Sequence, residues 1–309
     1  MARRRKSRRR SPLTILLVVA ALGAAFAAGV WIARPRAAPD AGRAPAARSA
    51  PAPDPPRARP RPAPPRAESR PDATSVERPA GPAPRARLAL VIDDLGRDVA
   101  EADRLLAIGV PISYAVLPFE PESEQVALRL RAAGAEVLVH LPMEAAGGGD
   151  PGPGAVLERL SPRRIAKRTE AAVDAVPGAT GVNNHMGSRI TADEGAMGAI
   201  LDVVARRGLF FLDSRTTAET RAFDWARERG IAAARRDVFL DDDPAESAVA
   251  AQFAAWLDAA RANGAAIAIG HPRAATLAVL ERELPRARAA GFELVPVSFL
   301  LERSESLPE

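Results

Sequence analysis

From residue 88 onward, short apolar runs alternate with stretches of helical periodicity, and no other feature restricts the fold as tightly. Runs at 88–92, 113–117, 136–139, 181–184, 209–212, 265–269 and 293–297 have strand length, and a weaker one lies near 231–234. Their continuous apolarity marks strands covered on both faces, as in a parallel sheet wrapped by helices. Between the runs, Ser161-Pro162 reads as an N-cap with proline at N1, and Thr191-Ala192-Asp193-Glu194 reads as a capping box. Residues 245–261 and 274–290 repeat apolar positions at spacings of three and four. Seven or eight strand–helix units predict a parallel β/α barrel, seven- or eight-stranded, closed or nearly closed. A doubly wound open sheet is the alternative.

The chain before this domain has a different character. Arg3, Arg4, Arg5, Lys6, Arg8, Arg9 and Arg10 precede an uncharged, mostly apolar segment at 13–32. A helix of that length spans about 30 Å, the hydrocarbon thickness of a bilayer. The basic block is expected to stay in the cytoplasm and the rest of the chain to lie outside it. The segment is either a retained anchor or a signal cleaved after Ala25-Phe26-Ala27; its continuation through Val30, Trp31 and Ile32 favours the anchor. Residues 34–87 are dominated by Pro, Ala and Arg and read as a disordered, semi-rigid spacer. The expected organisation is 1–33 anchor or signal, 34–87 linker, 88–302 domain and 303–309 tail.

Charge separates the same parts. Residues 1–87 carry 19 Lys and Arg against five Asp and Glu, and residues 88–309 carry 24 against 33. The net charge of +5 thus combines a tail at +14 with a domain at −9. An acidic domain argues against nucleic acid as a partner, because a nucleic-acid-binding fold carries its positive patch itself. The chain has no cysteine, which removes disulfides, thiolate metal ligands and cysteine nucleophiles together.

The three histidines each follow an apolar run directly: His140 after 136–139, His185 after 181–184 and His271 after 265–270. Asp93-Asp94 ends the first run, and Asp213 ends the run at 209–212. In parallel β/α folds the carboxyl ends of the strands form the rim where active sites are built. Imidazoles and carboxylates around an open position suit a catalytic divalent metal, with zinc the default for mixed nitrogen and oxygen ligands. The adjacent acids can divide the work, one holding metal and the other taking a proton from water. Asp241-Asp242-Asp243 reads as an acidic loop capping the next helix, and Gly147-Gly148-Gly149 as a flexible loop without the lysine of a phosphate cradle. Phe119, Trp225 and Trp256 are candidates for stacking on a sugar ring, with Trp256 in a core-like helical pattern.

Several of these motifs, in order along residues 88–302, resemble the divergent branch of the polysaccharide deacetylase superfamily. Val91-Ile92-Asp93-Asp94-Leu95-Gly96 is similar to its opening motif, in which the first Asp is the general base and the second a metal ligand. Val139-His140-Leu141-Pro142-Met143-Glu144 resembles the second motif, where two histidines four apart hold metal; here Glu144 stands in the second place. Ile269-Gly270-His271-Pro272 resembles the last motif, whose histidine is the general acid. Gly181-Val182-Asn183-Asn184-His185-Met186-Gly187-Ser188-Arg189 and Phe211-Leu212-Asp213-Ser214-Arg215 match the divergent branch.

The resemblance implies Asp93 and His271 as the catalytic acid–base pair. It implies Asp94 and His140 as metal ligands, with His185 supplying the missing imidazole and Glu144 a marginal fourth ligand. The usual Arg-x-Pro-aromatic motif is absent, so Arg189 or Arg215 is the candidate to position the base, with Asp213 in support. The implied activity is metal-dependent removal of acyl groups, N-acetyl above all, from an envelope or extracellular polysaccharide. A non-catalytic carbohydrate-binding or envelope-organising protein on the same fold is the alternative. The expected partners are a glycan and, through the N-terminal helix, the cell membrane; the sequence does not identify a protein partner. A reporter fused after Glu309 is expected to be active only outside the cytoplasm, and cytoplasmic activity of that fusion would reject the topology.

Overall fold

The computed structural model describes residues 85–302. The basic block, the apolar run at 13–32, nearly all of the Pro/Ala/Arg stretch and the tail at 303–309 lie outside the described residues. Among the described residues no helix is long and apolar enough to cross a membrane.

The strands are β1 (Arg87–Leu95), β2 (Ser113–Val116), β3 (Glu136–Met143), β4 (Gly181–Met186), β5 (Phe210–Asp213), β6 (Ala233–Arg235), β7 (Val238–Phe239), β8 (Ala265–Gly270) and β9 (Glu293–Leu294). The helices between them are α1 (Val99–Leu106), α2 (Ser123–Ala132), α3 (Pro162–Asp174), α4 (Glu194–Arg206), α5 (Ala222–Glu228), α6 (Glu246–Asn263) and α7 (Ala274–Ala289). The strands pair in the order β6-β5-β4-β3-β2-β1-β8-β7, and every pairing is parallel. β9 adds a short parallel pairing at the start of β1.

Chain continuity rolls this sheet up. Its two outermost strands, β6 and β7, are separated only by Arg236 and Asp237. Such a link reaches about 10 Å at most. Residues 233–239 therefore form one continuous stretch, bent at Asp237, that pairs with β5 at its start and with β8 at its end. That stretch closes the parallel β/α barrel expected from the sequence and excludes the open doubly wound sheet.

The apolar residues divide between two cores, as the period-two alternation of strands requires. Leu88, Leu90 and Ile92 of β1 face the helices, whereas Ala89 and Val91 join Ala115, Leu138, Leu212, Ala234, Ile267 and Ile269 in the barrel interior. Val295 and Val297 close the lower end, the latter in a 3₁₀ turn at Val297–Leu300. There the Ser113 hydroxyl donates to Glu136 Oε1 (2.7 Å) and accepts from Val297 N (2.9 Å). The run at 293–297, expected as a strand, is thus mostly this plug.

Two capping expectations change. Ser161 occupies the N-cap position before Pro162 but its side chain makes no capping bond. The cap of α4 is Asp193, whose carboxylate accepts from Ala196 N (2.6 Å), while Thr191 lies in a 3₁₀ turn and donates to Gly187 O (2.9 Å).

Helix α6 is pinned by Trp256, which is fully buried, packs edge-on to Phe253 and donates from Nε1 to Ala266 O of β8 (3.0 Å). Trp256 is therefore a core residue and not a sugar platform. Replacing it by Ala is expected to lower stability by about 3–5 kcal/mol, the range for deleting a buried aromatic. Urea unfolding of the full chain measures this, and a loss below about 1 kcal/mol would show that α6 is held elsewhere.

Candidate active site

The upper rim of the barrel collects the residues that continue the inward series. Asp93 follows Ala89 and Val91, His140 follows Leu138, Ser214 follows Leu212, and His271 follows Ile267 and Ile269. By the same alternation Asp94 would turn toward the helices with Ile92. It does not, because its backbone lies in the left-handed region (φ 63°) where the β1–β2 register shifts between Ile92 and Leu95. Such conformations are uncommon for non-glycine residues and recur at functional sites.

The turn brings Asp94 Oδ1 to 3.2 Å from His140 Nε2 and 3.0 Å from His185 Nδ1, with the two imidazole nitrogens 3.1 Å apart. His140 Nδ1 faces Asn183 Oδ1 at 2.9 Å, while the Asn183 amide donates to Asp93 Oδ1 (2.8 Å) and Ser214 Oγ (3.2 Å). That network places the His140 proton on Nδ1 and leaves the Nε2 lone pair facing Asp94. Asp94 Oδ1 is buried, and among the described residues no hydrogen-bond donor is aligned on it. A buried carboxylate oxygen between two imidazole nitrogens is a costly arrangement unless a cation or proton is shared there. Ligands about 2.1 Å from a tetrahedral zinc lie about 3.4 Å apart, close to these separations. The donor set fits a divalent cation with open positions.

Two further groups border the triangle. Asp93 Oδ2 is 3.6 Å from His140 Nε2, and His271 Nε2 is 3.8 Å from Asp94 Oδ2. Burial pushes the Asp93 carboxyl above its ordinary pKa against the pull of His140 and His271. His271 Nδ1 lies 2.9 Å from Asp241 Oδ1, and Asp241 Oδ2 accepts from His271 N (2.9 Å) and from the Thr276 hydroxyl (2.8 Å). Burial alone would lower the pKa of His271, but the Asp241 carboxylate and the nearby Asp93 hold it above the usual imidazole value. Asp93, His140, His185 and His271 line one cavity of about 650 Å³, together with Arg215 and Arg236 among others.

A profile of the divergent polysaccharide deacetylases matches residues 90–301, a span that contains the whole cluster. The chain belongs to the divergent polysaccharide deacetylase family. YibQ, an uncharacterized protein of Escherichia coli K12, is 38% identical over 203 residues, covering 66% of this chain and 64% of that relative. An uncharacterized protein of Haemophilus influenzae Rd is 35% identical over 224 residues, covering 72% of this chain and 80% of that one. The match thus spans less than two thirds of the Escherichia coli relative. Among solved structures, the uncharacterized protein ATU2773 of Agrobacterium tumefaciens C58 superposes with a TM-score of 0.66 at 25% identity, over 72% of this chain and 92% of that chain.

Within this family fold the structure brings Asp93, Asp94, His140, His185 and His271 together. It leaves out Glu144, whose Oε1 lies 3.3 Å from Arg189 Nε and whose Oε2 accepts from Glu158 N (2.8 Å). Arg189 is held by Glu144, Glu158 (3.2 Å) and Ala146 O, and does not reach Asp93. Asp213 has the parity of Phe211 and faces away from the cavity; it accepts from Arg215 N (2.8 Å) and Thr220 Oγ1 (2.8 Å). Arg215 lines the cavity but makes no hydrogen bond or ion pair with Asp93. Trp225 is buried beside Arg221, whereas Phe119 is exposed and covers Gly154. Asp241, read from sequence as part of a capping loop, is fully buried and orients His271; the loop does not cap α6, whose N-cap is Ala245 without a side-chain capping bond, and Asp243 accepts only from Ala245 N (2.9 Å). Asn183, Ser214 and Arg236 carried no sequence signal as single residues, although strand parity points each of them inward.

Asn183→Ala is expected to weaken zinc binding by the factor of about 10 to 100 typical of groups that orient a ligand. His140→Ala and Asp94→Ala should abolish it. Competition with a chelating dye reads all three, and an unchanged affinity in Asn183→Ala would overturn the assigned orientation of His140.

Proposed function

We propose that the protein is a metal-dependent hydrolase that removes N-acyl groups, acetyl foremost, from a polysaccharide outside the cytoplasm. The observation that carries this reading is the placement of Asp93 and His271, both lining one cavity, within 4 Å of the Asp94–His140–His185 triangle, at 3.6 and 3.8 Å. Family membership supports the reaction class, and the apolar segment at 13–32 supports a membrane-tethered, extracytoplasmic placement.

Asp94, His140 and His185 are the residues to hold the cation, with zinc favoured by their donor atoms. When bound there, a divalent cation supplies positive charge that polarises the acyl oxygen and acidifies a neighbouring water. Asp93 accepts the proton of that water as its oxygen attacks the acyl carbon. Asn183 holds Asp93 through Oδ1 (2.8 Å), which leaves Oδ2 for proton transfer. The carbon–nitrogen bond then breaks, and His271 donates its Nε2 proton to the departing nitrogen. Asp241 fixes that imidazole through Nδ1 and favours its charged form. The products are a carboxylic acid, acetate in the simplest case, and a free amine on the sugar.

Asp93→Asn and His271→Ala are expected to retain metal near the wild-type level. Both should lower acetate release from N-acetylated oligosaccharides by about two to four orders of magnitude. The assay compares the three full-length proteins on several acetylated glycans with zinc, cobalt and manganese. Equal background release by all three would count against catalysis and favour the binding-protein alternative.

A further inference from the structure

We propose that Arg215 and Arg236 form an anion-binding subsite beside the candidate metal centre, and that the glycan it accepts carries a carboxylate or phosphate near its acylated sugar. The inference rests on the function proposed above and names the substrate class of that site. Both arginines line the cavity that Asp93, His140, His185 and His271 line.

Each is held by the fold in a way that serves no neighbouring acid. Arg236 lies in the two-residue link that closes the barrel, and the inward parity of Ala234 carries it to the cavity. Its Nε donates to Ser214 O (2.7 Å) and its Nη2 to Arg215 O (2.9 Å), and the guanidinium lies 4.9 Å from the centre of the Phe239 ring. Two carbonyls and an aromatic face fix its plane without neutralising its charge. Arg215 has a left-handed backbone (φ 51°), and its N–H is held by Asp213 Oδ1 (2.8 Å). Its exposed guanidinium has no hydrogen bond or ion pair among the described residues. Asp237 and Asp242 line the same cavity, but neither forms an ion pair with these arginines; Asp237 Oδ2 accepts from Ile267 N (2.8 Å).

The two cations also act on each other. Burial and then the charge of Arg215 depress the pKa of Arg236, against the opposing pull of Asp213, Asp93 and Asp237. A neutral glycan would leave that repulsion uncompensated. A carboxylate or phosphate relieves it and matches the planar donor fork of arginine. Strained backbone recurs where a ligand is clamped, and Arg215 is such a position.

The test measures binding and turnover separately, on the zinc-supplied full chain. Binding is titrated in the Asp93→Asn protein at low ionic strength. The charged probes are a hyaluronan tetrasaccharide and N-acetylglucosamine 6-phosphate, and the neutral ones are chitotetraose and N-acetylglucosamine. Each anionic probe that fits is expected to bind about tenfold tighter than its neutral counterpart, the scale of a charged hydrogen bond. Preference for one charged probe alone identifies carboxylate or phosphate. Adding Arg215→Gln should erase the preference, and Arg236→Lys, which keeps the charge but loses the fork, should reduce it. Equal affinity for charged and neutral probes, no measurable binding of any charged probe, or a loss in Arg215→Gln shared equally by neutral probes overturns the subsite. Acetate release by the wild type is scored independently. Release without charge preference leaves the hydrolase standing and removes the subsite, whereas preference lost in Arg215→Gln without any release does the reverse.

Discussion

A closed parallel barrel offers its interior only alternate residues of each strand, and the domain is organised around that restriction. The residues that fill the lower interior, among them Ala89, Val91, Leu138, Leu212, Ala234, Ile267 and Ile269, set the parity of what stands above them. Two positions further on come Asp93, His140, Ser214, Arg236 and His271. One alternation thus packs the apolar floor and delivers the polar rim. Moving a strand by one residue would exchange the two faces and lose both at once. The link at Arg236 and Asp237 completes the arrangement, because it joins the two edges of the sheet and brings β5 and β8 into one wall.

The paired acids are where this restriction had to be broken. Adjacent residues of a regular strand point to opposite faces, so Asp93 and Asp94 cannot both serve one site from an undistorted β1. The left-handed backbone at Asp94 and the register shift beside it solve the problem locally. Such a conformation costs on the order of 1–3 kcal/mol and persists only where surrounding structure determines it. Here β1 is paired with β2 on one side and β8 on the other, and the strained residue sits where the pairing to β2 is already irregular. The result is a carboxylate for proton transfer and another for metal, contributed by neighbouring residues yet aimed at one point.

The barrel and the histidine rim were legible in the sequence because both are properties of strands. Continuous apolar runs announce buried parallel strands, and a histidine directly after such a run falls near the carboxyl end. What escaped reading depends on parity or on loops. Asp213 ends a strand and His271 directly follows one, but Asp213 shares the parity of Phe211 and so stabilises the following turn. Glu144 follows His140 by four residues, but its carboxylate is taken up by Arg189 and by Glu158 N, contacts from distant segments that the spacing does not reveal. Asn183 is two residues before His185 and three strands along the sheet from Asp93, so its joint grip on His140 and Asp93 appears only once β1, β3 and β4 are assembled. Asp241 lay in a triplet of acids whose members differ in burial, and only the irregular path after β7 selects which of them reaches His271.

Electrostatics act on this protein at two distances. Residues 88–309 carry an excess of nine negative charges, so at long range the domain repels an anionic polymer. Salt confines that repulsion to about 8–10 Å at physiological ionic strength. Within that distance the fixed groups of the cavity decide the local sign, and there the rim contributes Arg215 and Arg236 beside the acids and imidazoles. Residues 1–87 carry the opposite excess of fourteen positive charges. The sign of the potential inside the cavity is therefore set by its rim and not by the net charge of the domain.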